Sequence, residues 1–163
     1  MDFHFLLGRY DRELDRKDKL TGAVALPVSI VAALGGAVAA MARGFSYQPG
    51  GLRVAFGVAL SAHVAATGVC LYWLARNYIG SSYDYLPSLD DMEHSRTLLE
   101  DAGESHADFQ ERMRYAIIEA TDANAAVNDD RTAFIDRANQ TLIAVLVAAA
   151  VCGGLYVANQ VSR

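Results

Sequence analysis

The chain has 163 residues, 53% of them apolar, and a formal charge of −5. That length fits a single domain. The acidic balance argues against a general nucleic-acid coat, which needs a basic surface. The two cysteines, Cys70 and Cys152, lie in apolar runs and suit small buried hydrophobes better than a disulfide framework or a metal site.

Residues 3–19, FHFLLGRYDRELDRKDK, read as a helix with Leu7, Tyr10 and Leu14 on one face and charge on the others. Such a face rests on a membrane or packs on a neighbouring helix. No stop signal separates this helix from the next 23 residues, 20–42, which hold no Asp, Glu, Lys or Arg. A helix crosses about 30 Å of hydrocarbon with roughly 20 apolar residues. A first membrane span is therefore predicted over 20–42, kinked at Pro27, whose ring blocks a backbone bond to the previous turn. The sequence AMA at 40–42 resembles a signal-peptide cleavage site. The run is too long for a signal core, however, and the preceding segment carries Asp2, Asp11, Glu13, Asp15 and Asp18, so cleavage is not expected.

GFSYQPGG (44–51) reads as a short turn, and the 22 uncharged residues between Arg53 and Arg76 as a second span over 53–76, making an antiparallel hairpin. Gly80, Ser81 and Ser82 are expected to end that helix. A short helix follows at about 88–101, with Ser88 as its cap and Asp90, Asp91 and Glu93 in its first turns. Gly103 closes it, and Ser105 caps the next helix with Asp108 three residues on. From 106 no stop signal appears before 159, so one helix of roughly 80 Å is predicted. Its end, 140–159, is the third span, within 25 residues free of charge between Arg137 and Arg163. Three buried helices of a soluble bundle would normally keep a charged stripe, and these runs have none.

The fold expected is all-α: three transmembrane helices with long helical cytoplasmic extensions, assembled as an oligomeric helical bundle. Along the chain it divides into 1–79, an N-terminal cytoplasmic helix plus a two-span hairpin; 80–139, a helical cytoplasmic region; and 140–163, the third transmembrane helix. Five Lys and Arg precede the first span, two lie between the first two spans, and Arg76, Arg96, Arg112, Arg114, Arg131 and Arg137 follow the second. The basic excess puts the N-terminus and 77–139 in the cytoplasm and the C-terminus outside.

On the last helix Ile117, Asn124, Arg131 and Ala138 recur every seven residues, with Asn128, Ile135 and Leu142 between them. This seam is polar in its middle. A second stripe, Phe109, Met113, Ala116, Ala120, Ala123, Val127 and Phe134, is apolar, so the helix has more than one packing face. Asn124, Asn128 and Arg131 admit two readings. Buried polar residues at a seam fix register and oligomer number; alternatively, symmetry-related copies line a pocket for an anionic ligand, which an Arg fork suits. Asp129 and Asp130 read as solvated.

His63, near the middle of the second span, is a functional candidate by its depth, or a neutral imidazole bonded to a neighbouring helix. With Ser61 and Thr67 it could face a pore, while Gly57, Ser61, Ala65 and Gly68 approximate the small-residue spacing of a helix–helix contact. His94 and His106 show no metal-ligand spacing. No nucleophile–base pair, phosphate loop, CxxC or HExxH occurs, so no enzyme, metal site or cofactor is expected.

YDRELDRKDKL running straight into a span, a two-span hairpin, and a helix carrying N…N…R that re-enters the membrane together resemble the SLATT-like small membrane effectors of bacterial anti-phage operons. The chain is similar in size and plan to the channel subunits of Hailong-type systems. That resemblance implies a homo-oligomer, such as a tetramer, in the bacterial inner membrane that opens or disrupts it on infection. It also implies a partner nucleotidyltransferase whose nucleotide or oligonucleotide product is read by the cytoplasmic part, with Asn124, Asn128 and Arg131 facing the signal. Two alternatives need no gating ligand: a non-conducting membrane scaffold that recruits a cytoplasmic partner, and a holin-like lysis protein, which the long polar helix argues against.

Overall fold

The computed structural model describes residues 3–48, 50–79, 81–103 and 105–162. Among these the chain is all helical, with no strand: α1 Phe3–Ala23, α2 Ala25–Gly44, α3 Gly51–Arg76, α4 Leu89–Asp101 and α5 His106–Val161. Three stretches, Phe3–Gly44, Gly51–Arg76 and His106–Val161, are long and apolar enough to cross a membrane, which supports a membrane protein. The break between α1 and α2 falls at Val24, one turn before Pro27. Proline has no N–H to bond the carbonyl of Ala23, whereas Val28 N still donates to Val24 O at 3.2 Å. The second span ends at Arg76, followed by a turn over 77–79. Gly80, expected to break it, and the terminal Arg163 lie outside the described residues.

Packing divides the chain into two compact units, Met1–Leu20 with Gly80–Asp130, and Thr21–Ile79 with Arg131–Arg163. The linear division at 79 and 139 follows chain order, whereas this one follows contact and joins the N-terminal helix to the region after α3.

In the first unit, Leu6, Tyr10, Ile117 and Ala120 form the core, with Leu7, Leu14 and Leu86 against it. The apolar face of α1 thus packs on a neighbouring helix, with Leu6 deeper than Leu7. Ser88 Oγ accepts from Asp91 N at 3.2 Å and caps α4. Ser105 and Asp108 bond reciprocally at the start of α5. Ser105 Oγ accepts from Asp108 N at 3.4 Å, and Asp108 Oδ2 accepts from Ser105 N at 2.8 Å and from its hydroxyl at 2.7 Å. These bonds to Ser105 hold the Asp108 carboxyl below its ordinary range. A lowered pKa contributes stability above the ordinary carboxylate value and loses it as pH falls through the lowered one. The protection of the amides at 106–109, taken relative to their intrinsic exchange rates, is therefore expected to fall below about pH 4, and Asp108→Asn to remove that fall.

In the second unit α3 and α5 run antiparallel in a fixed register. Asn77 Oδ1 accepts from Arg131 Nε at 3.0 Å, Cys70 Sγ donates to Ala138 O at 3.5 Å, and His63 Nδ1 lies 3.3 Å from Val145 O. Each step is seven residues up one helix and seven down the other. One step further, Phe56 and Cys152 are both fully buried. Phe56 stacks on Phe45 at 4.1 Å between centroids and 17° between planes, in a core with Val38, Ala59, Ala149 and Cys152. The outward faces are apolar instead: Val54 and Val58 are each 66% exposed, and Ile143 63%. In water such faces would be an aggregation liability; in hydrocarbon they cost nothing.

Candidate functional site

In the first unit, Asn124 and Asn128 are fully buried on the seam of α5. Their carboxamides grip the segment after α3. Asn124 Oδ1 accepts from Asp84 N and its Nδ2 donates to Asp84 O, both at 2.9 Å. One amide thereby satisfies both backbone groups of a residue outside any helix. Asn128 Oδ1 accepts from the Tyr83 hydroxyl at 2.6 Å, and its Nδ2 donates to Glu13 O at 2.8 Å and Glu13 Oε2 at 2.9 Å. Two more contacts hold the same segment to α1. Leu86 N donates to the Tyr10 hydroxyl at 3.1 Å, and Lys17 Nζ donates to the Tyr85 hydroxyl at 2.8 Å. Lys17 also lies 5.3 Å and 5.4 Å from the centroids of Tyr83 and Tyr85. The bond to Tyr85 raises the pKa of its ammonium. Residues 83–86 form a strap fastened to both α1 and α5. Arg16 pairs with Asp129 at 2.8 Å, so Asp129 is exposed but not solely solvated.

Arg131 belongs to the second unit. The residue is 4% exposed, and its guanidinium donates to Asn77 Oδ1 and, through the terminal nitrogen, to Thr21 Oγ1 at 3.0 Å. It rivets one residue from each of three helical stretches at the end where their uncharged runs stop.

The three residues read as pore candidates are not brought together. His63 is buried against α5, and Thr67, one turn on, turns the same way, its buried hydroxyl without a hydrogen-bond partner among the described residues. Ser61 lies on the opposite, exposed face of α3, together with Gly57, Ala65 and Gly68. Among the described residues, no neighbouring atom comes within 4 Å of a Cβ built on Gly57 or Gly68.

Sequence reasoning missed Asn77 and Asn159. Asn159 repeats the amide clamp: its Oδ1 accepts from Ser46 N at 2.9 Å and its Nδ2 donates to Ser46 O at 3.2 Å, holding the turn between α2 and α3. The signal was present in the spacing. Asn77 follows His63 and Cys70 at sevens, and Asn159 follows Arg131 at four sevens. No protein-family profile, curated protein or solved structure matches the chain.

Proposed function

We propose that the chain is an inner-membrane effector that assembles with copies of itself into an ion-conducting bundle gated by a nucleotide or oligonucleotide. The reading rests on the plan of the sequence and on one observation: in each candidate span only 22% of the most apolar window is buried within the chain, while α3 turns its small residues, Ser61 among them, outward. Small residues let membrane helices approach closely, so a second copy is the natural neighbour for that face. Ser61 then lines or borders the conducting path, whereas His63 joins α3 to α5 from inside and Thr67 turns away from that path. Asn124 and Asn128 act as fasteners of the 83–86 strap, and a signal would work by displacing bonds they already make.

The test is ion flux from liposomes carrying the purified chain, alone and with the product of the neighbouring gene. Flux that responds to that product, and that Ser61→Leu suppresses while His63→Ala leaves its unitary size unchanged, supports the reading. Tight liposomes under both conditions would leave the scaffold, and a leak independent of any product the holin-like alternative.

A further inference from the structure

A column of four side chains stands at the end of the spans where Arg131 sits. Trp73 and Phe134 stack at 6.0 Å between centroids with 17° between planes. Arg137 lies 4.8 Å from the Trp73 centroid and Arg76 5.4 Å from that of Phe134. The aromatic pair is half-buried and both arginines are exposed. Neither arginine is in an ion pair among the described residues. Asp136, next to Arg137 in sequence, points about 100° away round the helix.

The column's depth is set by the sequence: Arg76 is the last residue of α3, and Arg137 is the last charge before the uncharged run of α5. Aromatic rings at such a boundary sit at headgroup level. A guanidinium lying on a ring keeps its edge N–H groups free, and that fork matches the oxygens of a phosphate.

We propose that Arg76, held over the ring of Phe134, and Arg137, held over that of Trp73, each bind the phosphate of an anionic phospholipid. A free phosphate compound shares the chemistry, but the site's place at the edge of the hydrocarbon favours the lipid. The proposal holds whether or not the chain conducts ions.

Trp73 is the only tryptophan, so its emission reports on this column alone. The chain is placed in phosphatidylcholine vesicles containing acyl-brominated phosphatidylglycerol or, separately, acyl-brominated phosphatidylcholine, and quenching is compared at equal mole fraction. The expected result is an apparent association about fivefold or more stronger for the anionic lipid. The preference should shrink in Arg76→Gln and in Arg137→Gln and vanish in the double variant. Quenching by the neutral lipid, unchanged in all three, shows that they still insert. Equal quenching by the two lipids in the parent chain would overturn the proposal. So would a preference erased by millimolar inorganic phosphate but not by chloride of the same ionic strength, since the site would then serve a soluble phosphate.

Discussion

Replacing Arg131 by Ala is expected to lower the unfolding free energy of the detergent-solubilised chain by about 3 kcal/mol. The guanidinium is nearly inaccessible and supplies both Asn77 Oδ1 and Thr21 Oγ1. The shorter side chain withdraws those donors from a place where water does not easily substitute. Lysine keeps the charge but offers a compact ammonium on a flexible stem rather than a planar fork, so Arg131→Lys should recover only part of the loss. Denaturant titration followed by Trp73 emission measures both. A loss under about 1 kcal/mol would mean that the rivet contributes little. If stability held while the flux response to the signal disappeared, Arg131 would be a ligand residue rather than a fastener.

The second large effect belongs to Asn124. Asn124→Ala should weaken the strap by about 2 kcal/mol, seen as a roughly thirtyfold faster amide exchange at Asp84. Asn124→Asp is the sharper test, because it keeps shape and volume. A carboxylate can accept from Asp84 N but cannot donate to Asp84 O, and it sets negative charge against that carbonyl. It is expected to be at least as damaging as alanine. Unchanged exchange at Asp84 in both variants would remove the clamp from the account of the strap.

The apolar runs, the caps at Ser88 and Ser105 and the seam of α5 were legible because each depends on local chemistry or on a period along one helix. The seven-residue spacing of Asn124 and Arg131 foretold burial; it did not foretell partners. Asn124 meets a backbone 40 residues away and Arg131 a side chain 54 residues away, and no periodicity within α5 encodes which segment arrives there. The same limit explains His63, Thr67 and Ser61. Their closeness in sequence suggested one lining, but two and six residues along a helix of 3.6 per turn point to different faces. Asn159 escaped notice because it follows a long apolar stretch and reads as a tail, although its position repeats that of Arg131.

The register between α3 and α5 also limits which length changes this part of the gene can absorb. One codon inserted between Arg131 and Asn159 would turn everything beyond it by about 100°, carrying Val145 or Cys152 outward and moving Asn159 away from Ser46. Losing three or four codons leaves a smaller rotation but shifts the helix along its axis by about a turn, so His63 no longer meets the carbonyl it approaches. Only a gain or loss of seven in α5, matched by seven in α3 and by seven between Thr21 and Ser46, restores every pairing. Relatives of this chain are therefore expected to vary freely in residue identity on the outward faces and to differ in the length of these three spans only by whole heptads taken together.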